Sequence, residues 1–384
     1  MLRISSLLRE VYSPESSSHA SKNSRSGYVI IWNLTGRCNL SCRHCYAEAN
    51  SASSGGKSEE LNTREAKRVI DDLAGLEVLV LILSGGEPML RADLYELASY
   101  AHEKGISCAL STNGSLIDEA RVRNISESGI GYVGISIDGA KDRHDEFRGR
   151  EGAYEASLRG IRLCRDAGIK VGLRFSLTSH TASQLPHVVD LFGQENLNKL
   201  YVSHLNYSAP AMQHMSPGPR DTRKIMGFVI RMALDYLKGN SLCREIVTGN
   251  NEADGPFLQL FVEKENPELA ERMYELLVQI RGNGSGPQLA NMDPWGDVHP
   301  DPFCRGIILG NVRETPLGRI LSDSSGHLFT SLGRRKGSFH GRCGKCRFVS
   351  LCSGNSRARA FAHSSDWWGS DPLCYLTDEE IFMN

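Results

Sequence analysis

Residues 28–46 read Tyr-Val-Ile-Ile-Trp-Asn-Leu-Thr-Gly-Arg-Cys-Asn-Leu-Ser-Cys-Arg-His-Cys-Tyr. The stretch joins two signals. Tyr28 to Trp32 is an unbroken apolar run, the mark of a strand buried on both faces. Directly after it, Cys38, Cys42 and Cys45 fall in a C-x₃-C-x₂-C spacing within one short loop. Three thiolates so placed grip three irons of a [4Fe–4S] cube and leave the fourth iron without a protein ligand. Most such clusters take four cysteines and only move electrons, so the spacing points to chemistry on a bound molecule. A structural zinc site with His44 as fourth ligand is the competing reading. Zinc ligands usually come as short-spaced pairs, and a three-residue gap followed by a two-residue gap fits that poorly.

Outward from this loop, strand-like runs alternate with helical patterns. Strands are predicted over 78–83, 108–110, 132–137, 170–177 and 199–204. Helices are predicted over 63–73, with Asn62 or Thr63 as cap, and over 94–104, 117–128, 154–167 and 185–192. Six β–α steps with continuous apolar strands make an α/β chain with a parallel sheet. Right-handed crossovers curl such a sheet into a full or partial (β/α) barrel. In these barrels the chemistry sits on loops after the C-terminal ends of the strands. The unusual residues fall there: the cysteine loop, Ser84-Gly85-Gly86-Glu87-Pro88, Ser111-Thr112-Asn113-Gly114, and Ser136 to Gly139. Two adjacent glycines at a strand end permit close backbone approach to a ligand. Taken alone, Gly-Gly-Glu-Pro is also a plain tight turn.

The 384 residues are 40% hydrophobic and 23% charged, with a formal net charge of -1. This is ordinary globular composition, and the balance argues against a nucleic acid or an anionic membrane surface as partner. No apolar run approaches the roughly 20 residues of a membrane span, and residues 1–27 lack the apolar core of a secretory signal. Residues 13–26 are serine-rich, so 1–27 is expected to be a flexible lead-in with order beginning at Tyr28. Residues 210–280 read as mostly helical, over 221–237 and 267–281, with Thr248-Gly249-Asn250-Asn251 as a polar loop. Gly282 to Pro287 is turn-rich and marks a boundary between 28–281 and a second unit, 282–384.

That second unit holds Cys343, Cys346, Cys352 and Cys374. These four thiolates are enough to close a [4Fe–4S] site or to hold a structural zinc. Cys108 and Cys164 are expected in the core, Cys304 as a buried thiol, and Cys243 has no ligand partner nearby. The spacing of the eleven cysteines is that of metal ligands and fits a reducing cytoplasm.

The C-x₃-C-x₂-C triplet on the first βα loop, with Gly-Gly-Glu-Pro on the second, resembles the radical S-adenosylmethionine (SAM) enzymes. The resemblance implies a partial (β/α)₆ TIM-like barrel whose open iron chelates the amino and carboxylate groups of SAM. It implies that Gly85, Gly86 and Glu87 meet the methionine amino group and that Ser136 lies near the ribose. Arg148 or Arg174 would take the methionine carboxylate, with a surface salt bridge as the other reading of either arginine. The C-terminal segment resembles the SPASM/twitch extension, in which Cys343, Cys346, Cys352 and Cys374 match the ligands of the outer auxiliary cluster. That pattern has a further cysteine where this chain has Ser356, and several upstream where it has only Cys304. Two [4Fe–4S] clusters in all are implied.

Longer stretches carry the resemblance further, among them Ile31-Trp32-Asn33-Leu34-Thr35, Ser203-His204-Leu205-Asn206-Tyr207, Val247-Thr248-Gly249-Asn250-Asn251 and Asp371 to Glu380. They are similar to the radical SAM family of haem d1 biosynthesis. That family removes two propionate side chains from 12,18-didecarboxysirohaem. Close relatives in the alternative haem pathway remove acetate groups or oxidatively decarboxylate propionates. Around Asp301-Pro302-Phe303-Cys304 the family usually has aromatic residues and no cysteine.

The resemblance implies an electron from a low-potential donor such as flavodoxin or ferredoxin, and cleavage of SAM to methionine and a 5′-deoxyadenosyl radical. Hydrogen abstraction from a propionate arm and side-chain scission follow, with the auxiliary cluster taking the leftover electron. His204 is a candidate axial ligand for the tetrapyrrole iron. A peptide-modifying SPASM enzyme is the rival. Many of those carry an extra N-terminal domain, for which the 27 residues before the first strand are too few. A zinc-stabilised binding protein without catalysis is the third reading.

Overall fold

The computed structural model describes residues 1–13, 27–46, 59–207, 210–239, 244–280, 282, 284, 285, 288–322 and 338–382. Along the chain run α1 (Ile4–Tyr12), β1 (Tyr28–Asn33), α2 (Thr63–Ala74), β2 (Val78–Ser84), α3 (Leu94–Glu103), β3 (Cys108–Thr112), α4 (Glu119–Glu127) and β4 (Ile130–Ser136). Then come α5 (Lys141–Arg148), α6 (Ala153–Asp166), β5 (Val171–Leu177), α7 (Leu185–Gln194), β6 (Lys199–His204), α8 (Pro219–Lys238), β7 (Glu245–Gly249), α9 (Asp254–Glu265) and α10 (Ala270–Ile280). The C-terminal part adds β8 (Leu289–Met292), β9 (Asp297–His299), β10 (Gly310–Asn311) and α11 (Leu317–Ser322). Four short helices follow: α12 (Gly341–Gly344), α13 (Val349–Cys352), α14 (Arg357–Ser364) and α15 (Asp378–Phe382).

β1 to β7 lie side by side in chain order, every neighbouring pair parallel. Their apolar runs are buried as the unbroken pattern requires: Leu81, Leu83, Val133, Ile135, Leu173, Phe175, Leu200 and Val202 are all sealed from solvent. The intervening helices cover the sheet with apolar stripes. In α2 the stripe is Ala66, Val69, Ile70 and Leu73, and the helix starts on a capping box in which Asn62 and Glu65 bond each other's backbone N–H groups.

The sheet reaches beyond the six predicted strands. Glu245–Gly249, part of which reads as a polar loop, is a seventh strand paired with β6, and Ile246, Val247 and Thr248 are buried in it. On the other side β8 pairs parallel with β1, and β9 and β10 add antiparallel at the edge. The ten strands run in the order β10-β9-β8-β1-β2-β3-β4-β5-β6-β7, so the barrel is partial, with β10 and β7 as its edges. Residues on both sides of the boundary expected at 282 therefore share one sheet.

The expectation of a flexible lead-in over 1–27 needs correcting at its start. Ile4, Leu7, Leu8 and Val11 form the buried face of α1, spaced i, i+3, i+4, i+7. Ahead of them Leu2 exchanges backbone hydrogen bonds with Thr248 at 2.7 and 2.9 Å. The serine-rich 14–26 and Cys243 lie outside the described residues. Among the described residues no helix is long and apolar enough to cross a membrane.

Candidate functional site

The loop leaving β1 lies across the end of β2. Leu34 N–H bonds Ser84 C=O, Gly86 N–H bonds Thr35 C=O and Glu87 N–H bonds Arg37 C=O, each at 2.8 Å. The double glycine is what lets the two backbones touch. Gly85 has φ +153°, and a Cβ there would stand 2.8 Å from Thr35 C=O; a Cβ on Gly86 would stand 2.3 Å from Arg37 C=O. The close approach expected from the sequence is thus made first to the cysteine loop itself, although both glycines also line the cavity beyond it.

That cavity measures about 480 Å³ and lies over the C-terminal ends of the parallel strands. Cys38, Cys42 and Cys45 line it together with Gly85, Gly86, Ser136, Arg148, Arg174 and His204. The structure thus gathers these sequence-predicted residues around one space. Glu87 is the exception: it is fully buried and does not line the cavity. Its Oε1 accepts from Thr112 Oγ1 at 2.7 Å and from Met89 N–H at 3.2 Å, and its Oε2 accepts from Asn113 N–H at 2.9 Å. Burial raises its pKa against those hydrogen bonds. Glu87 therefore ties the loop after β2 to the loop after β3.

The two arginines differ in their partners. Arg148 is buried in an ion pair with fully buried Asp138, and its Nη1 points at Cys42 Sγ, 3.7 Å away. Burial opposes the charge on Asp138, but Arg148 and two neighbouring histidines hold its pKa below the usual value. Arg174 has no ion-pair partner among the described residues; its guanidinium sits over the Tyr201 ring, 5.0 Å from the centroid. His44 stacks on Phe147 at 4.4 Å and meets Ser176 Oγ through Nε2 at 3.1 Å. Burial, with the charge of Arg148, pushes its pKa down to about 4 and keeps it neutral.

The three-cysteine loop fits an iron–sulfur cluster better than zinc. Among the described residues no three His, Cys, Asp or Glu side chains converge on a point that a single metal ion could take. Zinc needs four donors at about 2.0–2.3 Å, whereas a four-iron cube spreads its ligands wider. The sulfurs also have N–H groups aimed at them, from Leu40 to Cys38 at 3.4 Å and from Arg148 to Cys42. Hydrogen bonds of this kind tune clusters. Burial, helped by the charge of Glu87 and the neighbouring cysteines, pushes the Cys38 thiol up to about 11, and burial raises Cys42 against Arg148; a bound cluster would reverse this by stabilising thiolates.

Cys343, Cys346, Cys352 and Cys374 meet around a second cavity of about 20 Å³, walled by Pro256, Phe348, Leu376 and Ile381. Burial raises Cys346 and Cys352 and pushes Cys374 up to about 11. Ser356, where the resembling pattern has cysteine, instead caps α14 and donates to Asn206 Oδ1 at 2.9 Å. Cys304 is buried with its thiol on Asp301 Oδ2 at 3.4 Å, and does not line the main cavity although Asp301, Pro302 and Phe303 do. Cys108 and Cys164 are buried in the core, as expected.

Several cavity residues carry no sequence signal, among them Tyr46, Tyr201, Asn206 and Glu252. Arg359 is another residue the sequence does not reveal. It is fully buried, pairs with Asp371, and donates to Leu205 C=O at 3.1 Å and Asn250 C=O at 2.6 Å. It thereby fastens the loops after β6 and β7 to the C-terminal segment.

Comparison with known proteins follows the same lines. The radical SAM superfamily profile matches residues 32–192. Fe-coproporphyrin III synthase of Methanosarcina barkeri is 40% identical over 92% of this chain and 89% of its own. Pre-heme d1 synthase of Dinoroseobacter shibae is 39% identical over 99% of this chain and 93% of its own. Among solved structures, Streptococcus suis SuiB bound to precursor peptide SuiA superposes with a TM-score of 0.71 at 17% identity, over 91% of this chain and 76% of that one; at that identity the likeness is one of fold. The chain belongs to the radical SAM superfamily, in the group that contains these two synthases.

Proposed function

We propose that this enzyme removes carboxylate-bearing side chains from an iron tetrapyrrole, acting on 12,18-didecarboxysirohaem in haem d1 formation. The observation that carries the reading is a single cavity that the three-cysteine loop lines together with Arg174, a cation with no ion-pair partner among the described residues, and the imidazole of His204. The near-equal likeness to two synthases with tetrapyrrole names supports it.

Cys38, Cys42 and Cys45 would hold the open cluster and SAM, which together supply a hydrogen-abstracting radical. Gly85, Gly86 and Ser136 line the same cavity and would help hold SAM, the glycines at its methionine end and Ser136 at its ribose. Arg148, beside Cys42 and oriented by Asp138, suits the methionine carboxylate. Arg174, with no acidic partner among the described residues, suits a tetrapyrrole carboxylate, since a guanidinium forks onto a carboxylate and fixes its direction. Glu87 acts as a positioning residue through Thr112 and Asn113. Cys343, Cys346, Cys352 and Cys374 would hold a second cluster, whose chemistry is electron transfer. A low-potential flavodoxin or ferredoxin is the fitting donor, and a reducing cytoplasm the fitting compartment.

Anaerobic turnover with 12,18-didecarboxysirohaem tests this. Expected are 5′-deoxyadenosine and a tetrapyrrole lighter by its propionate arms. The likeness to Fe-coproporphyrin III synthase favours a second reading, a related tetrapyrrole step of the alternative haem pathway such as loss of acetate groups, and the product mass separates the two. An unchanged tetrapyrrole beside active SAM cleavage rejects both and turns the search to peptides.

A further inference from the structure

His204 ends β6, is buried, and lines the main cavity. Its Nε2 lies 3.1 Å from Oδ2 of Asp254, the buried first residue of α9. The other oxygen of Asp254 accepts from Tyr375 O–H at 2.6 Å. The Tyr375 ring also lies parallel to the imidazole, 6.4 Å between centroids and 12° between planes. The ring is thereby fixed in position and in tautomer: a carboxylate at Nε2 keeps the proton there and leaves the lone pair on Nδ1. Among the described residues no hydrogen bond engages Nδ1, and the ring lines the cavity. The other buried histidines near the sheet differ. His144 Nδ1 accepts from Asp138 N–H and His299 Nδ1 meets Ile307 C=O, and neither ring lines the cavity.

We propose that His204 Nδ1 is the axial ligand to the iron of the tetrapyrrole, with Asp254 and Tyr375 as positioning residues. A metal-ligating histidine almost always gives its other ring N–H to a carboxylate or carbonyl, and imidazole is a preferred ligand for iron. Ligation would fix where the macrocycle sits, so that the side-chain arm to be cleaved faces the cysteine loop rather than turning in the cavity. The inference rests on the tetrapyrrole reading.

The test uses the full chain, anaerobic and cluster-loaded, titrated with iron coproporphyrin III and with metal-free coproporphyrin III. The wild type should bind the iron form at least about tenfold tighter and show the absorption and electron-spin spectrum of an imidazole-ligated haem. His204→Ala should erase that preference and leave the metal-free affinity unchanged, and added imidazole should restore the spectrum. His204→Gln serves where the alanine variant does not fold. Asp254→Asn should weaken the iron form alone, by about tenfold. Equal binding of both porphyrins by the wild type, or an imidazole spectrum that survives in His204→Ala, overturns the ligation and leaves the tetrapyrrole reading standing. Binding of neither porphyrin overturns both.

Discussion

Cys38, Cys42 and Cys45 open onto about 480 Å³ of cavity, whereas Cys343, Cys346, Cys352 and Cys374 enclose about 20 Å³. The open site rests on backbone, with two glycines pressed against the loop and an arginine at one sulfur. The closed site is walled by apolar side chains and gathers its thiols from α12, α13, the turn between them and the loop at Cys374. The donor atom is the same in both. On the proposed reading, ligand number and the surrounding space would separate a site that binds a substrate from one that passes charge.

The largest expected effect breaks the comparison by taking one thiol from each side. Cys38→Ala should lower SAM cleavage by on the order of 10³-fold or more and leave the C-terminal iron in place. Cys352→Ala should do the reverse, removing that iron while 5′-deoxyadenosine still forms. Iron analysis should fall from about eight to about four per chain in each case. Loss of cleavage in both variants would mean that the sites are not separable.

The arginines beside the two sites give the next contrast. Arg148→Met strands the buried Asp138 carboxylate and should cost about 3–5 kcal/mol, read from denaturant midpoints. Arg342, beside Cys374, pairs with an aspartate that is 71% exposed. Arg342→Met should cost about 1 kcal/mol or less. Equal costs would remove the distinction drawn between the two environments.

The last contrast is in pH dependence. Burial, reinforced by Arg148, lowers the His144 pKa from 6.5 to about 4. The unfolded chain therefore binds the extra proton first as pH falls, and stability is lost below about 6.5 and levels off near 4. The share of the loss between pH 7 and pH 5 that His144 carries should be about 2 kcal/mol, and His144→Phe should remove that share while leaving the one carried by His44, which burial lowers in the same way. A wild-type stability that does not change over that range would place His144 in contact with water.

Val78–Ser84 and Val171–Leu177 were legible in the sequence because strands buried on both faces need no alternation and leave an unbroken apolar run. Leu289–Met292 was not legible, since four residues bonded to β1 across the whole barrel carry no local pattern. Lys141–Arg148 shows only eight mostly polar residues, and its helix is set by packing His144 and Phe147 inward. That Cys38, Cys42 and Cys45 gather at one cavity and Cys343, Cys346, Cys352 and Cys374 at another was legible because each set is closely spaced in the chain apart from Cys374. Glu87 was misleading because its partners, Thr112 and Asn113, lie far along the chain and claim both oxygens. The link from His204 to Asp254 and Tyr375 spans three distant segments, so only the fold could bring it together.

The Arg359 guanidinium has a consequence for anyone wishing to exchange parts between such proteins. A graft that replaced the C-terminal segment would take away the donor on which the carbonyls of Leu205 and Asn250 depend. The loops that shape the cavity beside His204 would then lose their anchor. A chimera must carry Arg359 and Asp371 together to keep its cavity.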